Sequence, residues 1–466
     1  MAKELYSLPP GEAGRILDRL LLVEQVIPAD DVRQVLEETG CLDTRRCRRT
    51  REGIFRVVLA RGIRADVPIR QLFKFARRLQ AGEATPHRSS LCLARPRLGL
   101  AAVRPLFERP VRLLATPQTP GAFYQDGRLM ALDGTVYTVP DSPANAAAFG
   151  RSSGGRGDRA FPQVRQLSLV EAGTHGEGAF AATGIQEPGR AEQRLAPARF
   201  RHLRSEMVLL WDRGFFSYSL WKSVGTTGCP LLARVSSRLV LRPLQSLADG
   251  SYLAKIYPCA SERNRDRQGL VVRVIRYTLN DPQRVGHGQE HVLLTTLLDA
   301  ARSLAKELVA LYHERWEVDL VYDEQKTHQN PWRGTKSADL RSQTPLGVLQ
   351  ELYALSLGHF VVRSLMATAA ARADLDPDRL SFVGCLTIRR CRLPACPALG
   401  TDPFAVGYEV LLWEISCERT ADAVRRNRIN PRVVKVKMSK FKKKGSEHRP
   451  VPPLKKTFAE SAVMLC

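Results

Sequence analysis

Apolar residues recur at two different spacings along this chain, and the change of spacing divides it. From about Ile27 to Leu113 the spacing is helical. In IPADDVRQVLEETG apolar positions return every three or four residues, and Gly40 supplies a stop. Arginines then interleave with Ile54, Val57, Val58 and Leu59 in TRRCRRTREGIFRVVLARGIRADVPIRQLFKFARRLQ, and SLCLARPRLGLAAVRPLFERP continues the theme. From Gly127 the period shortens to two. GRLMALDGTVYTVPDS, rich in Val, Tyr and Thr, predicts a strand ending near Val139, and VRQLSLVEAGTHGEGAFAATGI predicts two strands joined at THGEG. A helix is expected over RAEQRLAPARFRHLRS, a short buried strand at MVLLWD, and another helix from SYSLWKSV.

Between Pro230 and Thr296 the chain reads as β-rich, with strands expected at LLARV, SRLVLRPL, YLAKIY, GLVVRVIRYTL and HVLLTTL. Two long helical patterns follow, from about Ala300 to Thr327 and from Pro345 to Ala371. The order of elements predicts an α/β protein. A helical N-terminal region covers 1–115, and an α/β core covers 116–375. A β-rich insertion interrupts the core at about 229–298, and a C-terminal region covers 376–466.

Composition changes this picture in one respect. Hydrophobic content of 44% and charged content of 25% in 466 residues are ordinary for globular domains whose cores need no staples. Charge is not ordinary: 71 Lys and Arg against 47 Asp and Glu give +24. A field of that size attracts polyanions, and DNA is the expected partner of the basic helical N-terminal region. Between Arg425 and Lys456 thirteen cations face Glu447 alone, so the C-terminal tail gains from phosphate contact. A membrane is not expected. The N-terminus lacks the charged-then-apolar layout of a signal peptide, and the most apolar stretch, Leu352–Ala371, is broken by His359 and Arg363 and reads as a buried core helix. The ten cysteines lack the paired spacing of a zinc site and fit reduced thiols in the cytoplasm.

Three places can carry chemistry. Asp133 follows LMAL within a predicted strand, and Asp212 follows MVLLW at the end of another. An acid among core residues needs a partner or a metal, although a turn residue or a helix cap would also suit these positions. The third place is YHERWEVDLVYDEQKTH. On a helical wheel with Tyr312 at zero, Arg315, Asp319, Asp323 and Lys326 all fall within about 60° of it, at 100° per residue. Glu317 and Glu324 fall well away, near +140° and +120°, on the same geometry. Carboxylates from two strands and a helix can hold two divalent cations, and neighbouring cations can grip phosphates.

LDGTVYTVPDS, LLWDRGFFSYSLW and YHERWEVDLVYDEQKTH resemble the three catalytic-core motifs of DDE transposases of the insertion-sequence-four family. Tyr312, Arg315 and Lys326 match that family's third motif at its spacing. The resemblance covers nearly the whole chain and implies a ribonuclease-H-like mixed-sheet core with a β insertion between the second and third acids. It implies a bacterial, nucleoid-associated endonuclease that cuts element-end inverted repeats and joins them to target DNA. Asp133, Asp212 and Asp319 are then the catalytic and metal-holding residues for two Mg²⁺ ions, with Mn²⁺ as a substitute. Tyr312, Arg315 and Lys326, with Arg213 beside Asp212, are DNA contacts, and two ends paired together imply a homodimer on DNA. One departure stands out. The family's Glu is replaced by Asp319, whose side chain reaches about 1.5 Å less, with Asp323 one turn on as an alternative ligand. An active transposase and a catalytically impaired descendant that only binds DNA are both compatible with this sequence.

Overall fold

The computed structural model describes residues 26–43, 50–65, 67–76, 85–109, 111–154, 157–158, 161–185, 191–282, 284, 287–330, 339–392, 403–419 and 456–465. The basic run up to Lys455 lies outside them. The chain forms two compact units, Met1–His202 with Glu317–Thr420, and Leu203–Trp316 with Ala421–Cys466.

The first unit is organised around the helix Pro345–Arg372. Thr344 caps its start by accepting a hydrogen bond from Gly347 N, and Pro345 occupies the first turn. This helix is apolar around most of its surface because other elements enclose it: Leu352, Leu355, Phe360, Val361, Val362, Leu365 and Met366 are all buried. By length and composition it could cross a membrane, but 83% of its most apolar window is buried inside the unit. The helices Arg51–Ile63, Val103–Glu108, Phe382–Arg392 and Pro403–Cys417 pack around it. Its crossing with Arg51–Ile63 is close enough to require glycine. A Cβ on Gly62 would stand 1.7 Å from the Ala354 carbonyl oxygen, and one on Gly358 would meet Gly62 backbone at 2.7 Å. Gln329 Nε2 donates into the same crossing, to Gly62 O at 2.5 Å and Leu355 O at 2.7 Å.

Strands β1 (Phe123–Tyr124), β2 (Gly127–Thr138), β5 (Gln163–Glu171) and β6 (Gly176–Gly184) form an antiparallel sheet in this unit, in the order β6–β5–β2 with β1 on β2. The two-residue strands β3 (Ser153–Gly154) and β4 (Gly157–Asp158) pair separately. Tyr137 on β2 is fully buried and donates to Gln325 Oε1 at 2.8 Å. Asp133 and Leu132 stand opposite Ser168 and Leu169 of β5.

The second unit carries a mixed sheet of β7 (Met207–Trp211), β8 (Leu231–Val235), β9 (Gln245–Ser246), β10 (Tyr252–Ile256), β11 (Leu270–Leu279), β12 (His291–Thr295) and β13 (Ala462–Met464). The order is β7–β8–β12–β11–β10–β9, with β13 along the far half of β11. β7 and β8 are parallel, joined through the helix Tyr218–Gly225, and the remaining pairs are antiparallel. Arg273 on β11 is fully buried as a strut. It donates to Ser251 Oγ at 2.8 Å and Ser303 O at 2.6 Å, and it pairs with Asp249.

Two expectations are corrected. SRLVLRPL is not a strand; the strand pairing begins at Gln245–Ser246, and Arg238, Val240, Arg242 and Leu244 are exposed. The single helix expected from Ala300 to Thr327 is an α-helix Ala305–His313, a 3₁₀ turn Glu314–Trp316, an α-helix Glu317–Asp323 and a π turn Glu324–Gln329. The sequence pattern alone cannot register such changes in winding, because each shifts the phase by only a fraction of a turn.

Candidate active site

Asp133 sits in mid-strand, since β2 continues in register past Gly134 to Thr138. The turn reading of Asp133 is thereby removed. Its Oδ1 accepts from Gly134 N at 2.7 Å. Side chains alternate along a strand, and directly opposed residues share a face. Gly134 faces Glu192, which a Cβ there would meet at 2.7 Å. Asp133 therefore points to the other face with its partner Ser168, whose hydroxyl bonds Glu177. The helix Glu317–Asp323 packs on this part of β2: the buried Tyr322 donates its hydroxyl to the Asp133 carbonyl at 2.6 Å. Burial holds the Tyr322 phenol well above its usual range, so it remains a donor.

Asp319, one turn before Tyr322, is exposed on the same helix. Helix residues three apart are neighbours, so Tyr322 brings the turn carrying Asp319 onto the strand of Asp133. Asp323 is also exposed, but it accepts from Thr327 Oγ1 at 2.8 Å and lies 3.6 Å from His328 Nε2. It is committed to the next turn. Lys326 closes the helix onto β2. Its Nζ donates to Thr135 Oγ1 at 2.5 Å and Val136 O at 2.8 Å, and lies 4.5 Å from the Tyr137 ring centroid. Burial lowers its pKa against the opposing pull of Asp339. Two of its three protons are thus spent on β2.

In the second unit Asp212 follows β7 at the entry to the 3₁₀ turn Arg213–Phe215, and its side chain makes no capping hydrogen bond. The cap reading is removed as well. Arg213 is exposed. Tyr312 is buried against the end of β7 and donates to Trp211 O at 3.3 Å. Burial raises its pKa, with Arg315, Asp212 and Arg234 close enough to act on it. Arg315 is buried, with its guanidinium carbon 5.1 Å from the Trp316 ring centroid. The structure thus places Asp133, Asp319 and Lys326 in the first unit, and Asp212, Arg213, Tyr312 and Arg315 in the second.

The acids read as facing away, Glu317 and Glu324, form a buried polar cluster in the first unit. His175 Nε2 lies 2.7 Å from Glu317 Oε2 and 3.7 Å from Asp378 Oδ1. Arg363 Nη2 lies 2.5 Å from His175 Nδ1. Glu324 pairs with Arg363 and receives His359 Nε2 at 2.8 Å. Burial opposes ionisation of Glu324, but Arg363, His175 and His359 outweigh it and hold the carboxyl well below its usual range. The His175 pKa is shifted by burial and Arg363 downward and by Glu317 and Glu324 upward, with a net rise. The ligand atoms of His175, Glu317 and Asp378 lie within 4.8 Å of one another, as a metal would require. Ligation through Nε2, however, moves the ring proton to Nδ1, where Arg363 already presents a donor. The cluster is better suited to binding its own helix than to a cation. Its one sequence signal is the pair His359 and Arg363, polar residues one turn apart on an apolar helix.

Comparison with known proteins points to transposases. Residues 18–108 match the family model for the N-terminal region of insertion element 4 transposases. The transposase InsG for insertion sequence element IS4 of Escherichia coli K12 is 28% identical over 365 residues, covering 76% of this chain and 77% of that protein. The putative transposase InsZ of the same organism is 27% identical over 158 residues, 32% of this chain and 50% of that protein. A slight structural likeness, with a TM-score of 0.40 at 13% identity over 89% of each chain, links it to a piggyBac transposase solved as a synaptic complex with hairpin DNA. The chain is thus similar to transposases of the insertion element 4 family, in its N-terminal region and over about three quarters of its length.

Proposed function

We propose that this protein is an active DDE-type transposase that binds the inverted repeats of its element and cuts and rejoins DNA in the bacterial cytoplasm. The observation that carries the reading is the docking of the Asp319 helix on the strand of Asp133, with Tyr322 on the Asp133 carbonyl at 2.6 Å. It supports a ribonuclease-H-like core in which strands and a helix present the acids. The acids proposed as metal holders, Asp133 and Asp319 of the first unit and Asp212 of the second, each offer carboxylate oxygens, which suit a hard cation such as Mg²⁺, with Mn²⁺ as a substitute. Divalent cations held by these carboxylates would supply positive charge to the phosphate and would make the attacking oxygen more acidic.

The protein's own residues do the rest. Arg213, exposed beside Asp212, and Arg315 bind phosphate, while Tyr312 holds the chain end of β7 from which Asp212 emerges. Lys326 keeps the helix seated on β2 and has one proton left for a phosphate oxygen. The basic helical N-terminal region supplies end recognition, and two copies hold two ends as a homodimer. Purified protein with end DNA and Mg²⁺ tests this. Asp133→Ala and Asp212→Ala should each abolish nicking while leaving end binding in place; nicking that survives both substitutions would refute the assignment. The second reading, a DNA-binding protein with impaired catalysis, is favoured by the shorter acid at 319. It requires specific binding without nicking in either Mg²⁺ or Mn²⁺.

A further inference from the structure

The helix Glu317–Asp323 has seven residues, too few to fix its own position, and its winding changes at both ends. Two buried acids bracket it. Glu317 is its first residue and Glu324 follows its last, so seven positions separate them and they leave the helix on one side. Both meet the same imidazole: His175 Nε2 lies 2.7 Å from Glu317, and its Nδ1 lies 3.7 Å from Glu324. Arg363 ties the second contact down, bonding Glu324 and standing 2.5 Å from His175 Nδ1.

His175 reaches these groups from the hairpin between β5 and β6, where it is buried and adopts a left-handed backbone with φ of 59°. A residue with a side chain adopts that conformation at a cost, which persists only where the surroundings over-determine it. Asparagine or glycine would serve the turn more cheaply. The imidazole therefore has a use beyond the turn, and that use is its grip on both ends of the helix that exposes Asp319.

We propose that His175 is a positioning residue which, with Arg363, fixes the Asp319 helix on β2 and so sets where the Asp319 carboxylate ends. The inference rests on the reading of Asp319 as a metal-holding residue. It explains how a short acid can serve. A carboxylate with about 1.5 Å less reach than Glu has little tolerance for helix drift, since misplacement by about 1 Å costs on the order of a hundredfold in rate.

The test uses the full chain and end DNA. Three quantities are measured for His175→Ala: the Mg²⁺ concentration that half-saturates nicking, end affinity without metal, and the thermal midpoint. The half-saturating concentration should rise by about tenfold or more, by the same geometric sensitivity, with end affinity unchanged. Adding Asp319→Glu, whose longer reach tolerates the drift, should restore most of the lost metal response. A merely structural residue would lower nicking and thermal midpoint together, leave the half-saturation in place and gain nothing from Asp319→Glu; that result overturns the proposal. So does a tightly held divalent cation that Asp319→Ala retains and His175→Ala loses. Should His175→Ala not fold, His175→Gln is read in the same assay by the same criteria. The two levels fail differently. Nicking by Asp319→Ala at the wild-type rate removes the reading of Asp319 itself, whereas an inactive Asp319→Ala beside a His175→Ala of unchanged metal response removes only the positioning.

Discussion

Asp319 and Asp323 are exposed on a helix bracketed by two buried acids, Glu317 and Glu324. Glu317 and Glu324 hold the helix, Asp323 serves the next turn, and Asp319 faces outward. Lys326 shows how a residue expected at the DNA also works inside the fold. Its ammonium satisfies Thr135 and Val136 of β2. Lys326→Met removes both bonds and leaves a half-buried carbonyl without that partner, so urea unfolding should show a loss of about 1–3 kcal/mol. A stability equal to wild type would show that the ammonium is free to leave β2. At this scale the sequence offers Asp133, Asp212 and the spaced Tyr312, Arg315 and Lys326 as candidates, but not what they touch. The partners of Glu317 and Glu324 are not legible in it, because His175 lies 142 residues from Glu317 and Arg363 lies 39 from Glu324. No local pattern encodes such distances.

Among elements, β2, the β5–β6 hairpin, β7 and the Pro345–Arg372 helix could be read from periodicity because burial on one or both faces leaves a regular mark. The broken helix after Leu304 could not. Its 3₁₀ turn Glu314–Trp316 and π turn Glu324–Gln329 interrupt the α-helical winding on either side of Glu317–Asp323. The helix crossing at Gly62 was equally silent, since a glycine inside an apolar helix gives no hint of what approaches it. Gly62→Ala should be costly, because the added methyl meets the Ala354 carbonyl, which is backbone and cannot rotate away. A loss of about 3 kcal/mol or more is expected from overpacking, read as a lowered thermal midpoint. Gly40→Ala, where nothing lies within 4 Å and only the left-handed φ of 62° is strained, should cost less, about 1 kcal/mol.

Over the whole molecule, charge and pH act through a few buried pairs. Glu351 in the long helix is buried against Arg61 of the Arg51–Ile63 helix, with Nη2–Oε1 at 2.7 Å, and accepts from Ser342 Oγ at 2.8 Å. Burial alone would raise its pKa; Arg61, Arg95 and Ser342 prevail and hold it below the ordinary value of about 4.5. A carboxyl whose folded pKa is depressed contributes stability that is fully present above its unfolded pKa and lost as pH falls through the folded one. Glu351→Gln should therefore be less stable than wild type by a constant margin from pH 7 to about 5, with the gap closing on further acidification. A gap independent of pH would show that the pair does not titrate as described. Net charge of +24 sets a second global expectation. End-DNA affinity should fall steeply with salt, as phosphate contacts release counterions.

The central claim is that this chain cuts DNA through a carboxylate at position 319 that is an aspartate. The most direct test is the rate of Mg²⁺-dependent nicking at an element end by wild type, Asp319→Ala and Asp319→Glu under one set of conditions. The wild type should nick, Asp319→Glu should nick at least as well, and Asp319→Ala should be slower by about a hundredfold or more. Nicking by Asp319→Ala at the wild-type rate, or a wild type that binds ends and never cuts them, would contradict it.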